Sequence, residues 1–287
     1  MQTRIFHLPS LSCKVHALTF GNCDKPVILA LHGWLDNAGT FAPLAPLLDN
    51  FYIIALDFPG HGFTLLPENS DSLNLHFYVD VISQIIDQFN EKAIILMGHS
   101  MGGAVASVYT SLHPSKVSKL ILIDVLGPLS SDNLATDPTL ETNAKKMQAA
   151  AVLASSKSYP NFEMMINIRM KANQLTYDQV FDLTQRGVLE TTEGFKWRYD
   201  PRVAKSSGFY YSENEVLELL SKIHCPVLII AGTEGIFKGR EFYQYRLDVL
   251  AHHEIHFIDG HHHIHLEKTP IVSEYISNFL RPLVSDN

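Results

Sequence analysis

The 287-residue chain, with 46% hydrophobic and 18% charged residues, suits one large domain or a core carrying an insertion. A formal net charge of −8 and a pI near 6.0 argue against a nucleic-acid surface and give an anionic membrane little to attract. Three scattered cysteines, Cys13, Cys23 and Cys225, match no metal spacing and are expected as reduced thiols.

The segment Met1–Pro9 has no long apolar run, so no signal peptide is read. No stretch is long enough to span a bilayer, and the cytoplasm is the expected compartment. Residues 3–8 and 12–20 read as an antiparallel hairpin, followed by the fully apolar strand 27–31 of a buried parallel sheet. A helix is expected over 40–48, a strand over 52–56, and a helix over 73–89 with Leu75, Val79, Ile82 and Ile86 on one face. The apolar run from Ala93 to Met97 is the central strand. The helix after Ser100 runs to about His113, where Pro114 closes it, and 119–123 is the next strand, ending at Asp124.

From about 127 to 211 the rhythm changes. Asp137-Pro138 opens a helix whose Leu140, Ala144, Met147, Ala151 and Ala154 share a face. A methionine-rich helix follows over 161–172, and Thr176 with Gln179 forms a capping box for a third, up to Arg186. With no strands expected between them, these helices read as an inserted cap over a core of 1–126 and 212–287. Met147, Met164, Met165 and Met170, with Phe195, Trp197 and Tyr199, read as the cap's own core, with an adaptable acyl pocket as the alternative. The sheet resumes at 226–231 and 254–258, and an amphipathic helix over 270–280 closes the chain. The fold class is therefore α/β, a mostly parallel sheet with helices on both faces and a helical insertion.

The chemistry centres on Gly98-His99-Ser100-Met101-Gly102-Gly103, a G-x-S-x-G pattern between a strand and a helix. A serine on such a turn stands out at the strand's carboxyl end, beside the N–H groups of the new helix. It needs a histidine base, itself held by a carboxylate, in the chain order Ser, acid, His. His261, His262, His263 and His265 all follow the last strand. One oxyanion donor is the amide of Met101, the residue after the nucleophile. The His253-Glu254-Ile255-His256 stretch is one residue short of a zinc motif and would place its histidines on opposite faces of a strand, so no metal is read there.

These motifs, with His32-Gly33-Trp34, Asp57-x-Pro59-Gly60-His61-Gly62 and Gly260-x-His262-x-x-His265, resemble the α/β-hydrolases of the capped esterase type. Within that superfamily the chain is similar to the serine hydrolase-like group, as Leu183-Thr184-Gln185-Arg186-Gly187 in the cap also suggests. The resemblance implies His262 as base, with His265 a structural partner and His261 the alternative register. It implies the Trp34 amide as second oxyanion donor, Trp34 being equally readable as packing. Most relatives carry the acid at the position of Gly235; some carry it twenty-four residues after the nucleophile, here Asp124. Asp124 is the expected acid, Glu234 the alternative, and a site with no acid remains open. Asp57 is expected to be structural, bonded to backbone amides of its own turn.

The expected activity is that of a serine hydrolase, a carboxylesterase acting on a small or medium ester-like molecule through an acyl-enzyme on Ser100, with no cofactor and no metal. Thioester, lactone or diketone carbon–carbon hydrolysis by the same triad is a second reading, and a non-catalytic ligand receptor a third. Monomer and homodimer are equally compatible with the sequence.

Overall fold

The computed structural model describes residues 1–68, 73–89, 92–205 and 209–281. The expected core and cap spans therefore lie partly outside the described residues, at 69–72, 90–91, 206–208 and 282–287. The chain opens with β1 (Gln2–Leu8) and β2 (Cys13–Phe20), paired antiparallel, then β3 (Val27–Leu31) and β4 (Tyr52–Leu56). After α1 (Leu75–Ile86) come β5 (Ile94–His99), α2 (Met101–Leu112) and β6 (Val117–Ile123). A long insertion separates β6 from the rest of the sheet. It contains α3 (Ser131–Thr136), α4 (Pro138–Ser155), α5 (Phe162–Asn173), α6 (Tyr177–Gly187), β7 (Val188–Thr191) and β8 (Gly194–Trp197). The chain then finishes with α7 (Glu213–Ser221), β9 (Val227–Gly232), α8 (Phe242–Asp248), β10 (His253–Ile258), α9 (Ile264–Glu267) and α10 (Thr269–Leu280).

The eight-stranded sheet has the order β1-β2-β4-β3-β5-β6-β9-β10. It is parallel from β4 to β10 and antiparallel where β2 meets β4. Side chains alternate across it, as the two-residue period of a strand requires. Leu29 and Leu31 pack with α1, α2, α7 and α8 on one face, whereas Ile28 and Ala30 pack with α10 and the 38–48 segment on the other. Each such buried Leu or Ile side chain contributes roughly 1.5–3 kcal/mol. β5 is central, so its carboxyl end lies deep among the loops that follow β3, β6 and β9.

Several sequence expectations are corrected. The 40–48 stretch forms two short 3-10 turns, Ala38–Phe41 and Ala45–Leu47, because Pro43 and Pro46 lack the N–H donors a continuous helix needs. The insertion is not purely helical: β7 and β8 form an antiparallel hairpin turning through Gly194 at φ 113°. Its strands are only four residues each, too short for a clear two-residue period. Met147 is 57% exposed, so α4 turns Leu140, Ala144, Ala151 and Ala154 inward without it. Met165 and Trp197 are buried together with Tyr159, Phe195 and Tyr199 against them, and Met170 joins a neighbouring cluster, whereas Met164 is exposed. The short helices α3, α7 and α8 were not foreseen, although Ser212 and Glu215 announce α7 by a capping box. No helix among the described residues is long and apolar enough to cross a membrane.

Candidate active site

β5 ends at His99 and α2 begins at Met101, so Ser100 alone makes the turn, at φ 52° and ψ −120°. An L residue occupies this backbone region at a cost of about 1–3 kcal/mol. The turn is imposed by close approach of the helix to the sheet. A Cβ on Gly98 would lie 2.4 Å from the Gly103 nitrogen, and one on Gly102 would lie 2.1 Å from the Leu31 carbonyl oxygen. The same approach seats the first turn of α2 against the carboxyl end of β3, where His32-Gly33-Trp34 begins.

Ser100 Oγ lies 3.0 Å from His262 Nε2, and His262 Nδ1 lies 2.6 Å from Asp124 Oδ2. Asp124, fully buried and itself at φ 48°, also accepts hydrogen bonds from the Gly232 amide at 3.1 Å and the Ile236 amide at 2.9 Å. A carboxylate so held accepts from the Nδ1–H of the imidazole and leaves the Nε2 lone pair facing the serine. The structure therefore brings together Ser100, His262 and Asp124. It does not bring in the alternatives. Glu234 pairs with Lys238 at the surface, and His261 turns to Glu267 at 3.2 Å.

Gly235, where most relatives are expected to carry the acid, has a physical explanation. A Cβ there would lie 2.1 Å from Asp124 Oδ1 and 2.5 Å from Oδ2. A side chain at 235 and the Asp124 carboxylate compete for one place, beside Nδ1 of His262.

Met101 occupies the first position of α2, where a backbone N–H has no intrahelical acceptor. A Cβ on Gly102 would also lie 2.7 Å from the His32 carbonyl oxygen, which places the Trp34 loop beside this amide. The loop is braced on several sides. His32 bonds the Gly33 carbonyl through Nδ1 at 2.7 Å and accepts the Phe58 amide at Nε2 at 2.9 Å; burial pushes its pKa down to about 4, so it is neutral. Leu35 sits at φ 62° with its carbonyl bonded by Arg169 of α5, and the Trp34 indole donates to the Val203 carbonyl at 2.8 Å. The inserted segment thus grips this loop directly.

Asp57 is structural, as expected, and accepts the amides of Ala38 at 2.8 Å and Phe63 at 2.9 Å. Its strongest partner was not foreseen: Arg186 of α6 binds both carboxylate oxygens, at 2.7–3.0 Å. His265 is buried and bonds Thr40 Oγ1 at 2.7 Å, consistent with a structural part. Sequence reading also missed Asp36, His99, His263 and Arg169, which meet behind the base. Their separation along the chain gives no local signal.

A family model described as alpha/beta hydrolase fold matches residues 26–269. A serine hydrolase-like protein of Dictyostelium discoideum is 34% identical, over 88% of this chain and 74% of that protein. A serine hydrolase-like protein of Danio rerio is 30% identical, over 98% of this chain and 89% of its own length. Among solved structures, a hypothetical protein from Pseudomonas aeruginosa PAO1 superposes with a TM-score of 0.84 at 28% identity, covering 98% of this chain and 100% of that one. A thioesterase domain from the curacin biosynthetic pathway has the same fold, with a TM-score of 0.83 at 20% identity, covering 97% and 99%.

Proposed function

Because the chain belongs to the α/β-hydrolase family, we propose that it is a serine hydrolase, a carboxylesterase for small or medium esters, with Ser100, His262 and Asp124 as its triad. The observation that carries this reading is the unbroken relay from Ser100 Oγ to His262 to the buried Asp124, at 3.0 and 2.6 Å. Ser100 attacks the ester carbonyl while His262 Nε2 takes its proton, and Asp124 stabilises the imidazolium that forms. The amides of Met101 and Trp34 receive the developing oxyanion, each donor being worth about 10²–10³ in turnover. His262 then protonates the leaving alcohol, and a water activated by the same nitrogen releases the acid. In this reading the described residues of 127–205 and 209–211 form a cap over the serine, seated through Arg186 on Asp57 and through Arg169 on Asp36.

A continuous relay favours catalysis over a receptor role, which needs no base aligned on the serine. The test is labelling with a fluorophosphonate probe near neutral pH, with Ser100→Ala as control. Labelling of the native chain that disappears in the variant is the expected result. No serine-dependent labelling would overturn the reading, and a chain-length series of esters then defines the acyl group.

A further inference from the structure

Behind the base, three side chains from three loops converge: Asp36 from the loop after β3, His99 from the end of β5, and His263 from the loop after β10. Asp36 Oδ2, His99 Nδ1 and His263 Nε2 all lie within 4.8 Å of one another. Asp36 Oδ2 is 3.1 Å from His263 Nε2 and 3.8 Å from His99 Nδ1. A tetrahedral zinc site with bonds of about 2.0–2.1 Å separates its ligand atoms by about 3.3 Å, so these donors need only small shifts to share one ion.

One further observation points to a ligand. His99 is fully buried, and its Nδ1 has no hydrogen-bond partner. Its Nε2 lies 3.0 Å from the His262 carbonyl oxygen, an obligate acceptor, so the proton sits on Nε2 and Nδ1 presents a bare lone pair towards a carboxylate oxygen. Two acceptors facing each other in the interior are unfavourable unless a donor or a cation lies between them. Residue 33 is glycine, and a Cβ there would lie 2.9 Å from His99 Nδ1 and 3.3 Å from Asp36 Oδ2, crowding both donors.

The surroundings are those of a prepared ligand set. A metal-binding imidazole is usually oriented by giving its other N–H to a backbone carbonyl or carboxylate, as His99 does. Asp36 is oriented through its second oxygen, Oδ1, by Arg169 at 3.0 Å. Asn173 Nδ2 lies 3.1 Å from His263 Nε2 and gives up that contact when the ion binds.

We propose that Asp36 Oδ2, His99 Nδ1 and His263 Nε2 form a site for a divalent cation of the zinc class, separate from the triad. Zinc bound there ties the base-bearing loop to the loop of Trp34.

The experiment is calorimetric titration of the full chain with zinc chloride, alongside thermal melting. Ser100→Ala keeps the ion-binding groups, and the expected result is one equivalent bound with a raised Tm. Asp36→Asn and His263→Gln each weaken that binding at least about thirtyfold, the expected loss for one of three ligands. Asp36→Asn also removes the Arg169 pair, so if it does not fold, His263→Gln decides. Three results overturn the proposal: no uptake by Ser100→Ala at millimolar zinc, undiminished binding in His263→Gln, or binding lost in His262→Gln instead.

Discussion

Replacing Asp124 by Asn keeps the shape of the side chain and removes its charge, and the structure indicates what that does. Asp124 Oδ1 accepts the Gly232 amide, whereas Oδ2 accepts both the Ile236 amide and His262 Nδ1. If the asparagine oxygen takes the Oδ2 place, the tautomer of His262 survives but its imidazolium loses a charge partner about 4 Å away. At an effective dielectric constant near 20 that is about 4 kcal/mol, or about 10³ in kcat. If the amide nitrogen takes that place, a donor faces Nδ1 and forces the proton to Nε2, where it blocks the base; the cost is then about 10⁴. Hydrolysis of a short activated ester by Asp124→Asn should therefore fall by about 10³–10⁴ in kcat, with KM little changed. Circular dichroism checks that the variant is folded, and Glu234→Gln should stay within about twofold of the native chain, as surface substitutions do. A fall of less than tenfold in Asp124→Asn would refute the argument, most clearly if Glu234→Gln collapsed instead.

Three other outcomes follow from the same geometry. Since a carboxylate at 235 would enter the Asp124 site, Asp124→Gly combined with Gly235→Asp should recover at least about tenfold of the activity lost in Asp124→Gly alone; no recovery would show that the two positions are not equivalent. Arg186→Met removes the bidentate partner of a fully buried Asp57 and should cost about 3–5 kcal/mol, read as a lower urea midpoint; a loss under 1 kcal/mol would mean that the Ala38 and Phe63 amides suffice. Burial lowers the pKa of His32 to about 4 and those of His61 and His265 to about 3, so the unfolded chain takes up protons from about pH 6.5 downward while the folded chain does not. Stability should then rise with pH across the window from about 4 to 6.5, by roughly 4 kcal/mol per unit near pH 5 from these three rings. Equal urea midpoints at pH 5 and pH 7 would contradict it.

The elements legible in the sequence were those whose causes are local. Val27–Leu31, Tyr52–Leu56 and Val227–Gly232 read as buried strands because an uninterrupted apolar run has no face to give to water. The helices opening at Pro138 and Tyr177 were legible from their first residues, since Asp137 accepts the amides of Thr139 and Leu140 and Gln179 reaches back to the Thr176 amide. The helix expected over 40–48 gives way to two turns because Pro43 and Pro46 lack the N–H donors it needs. The β7–β8 hairpin was missed because Phe195 and Trp197 pack against α4 and α5 rather than into a large sheet.

The site divides along the same line. That Ser100 would stand on a strained turn was already written in Gly98 and Gly102, because steric exclusion between a strand and the helix that follows it acts over a few residues. Which carboxylate and which histidine meet that serine could not be decided locally: Asp124 and Glu234 follow two different strands, and His261 and His262 differ by one position of register. Packing of β6 beside β9 decides it, by aiming the amides of Gly232 and Ile236 at Asp124 and leaving Glu234 outside. The Asp57–Arg186 and Asp36–His263 contacts join residues 129 and 227 positions apart. They exist only because burial leaves a charge no water to turn to, so each must find a partner wherever the fold has brought one.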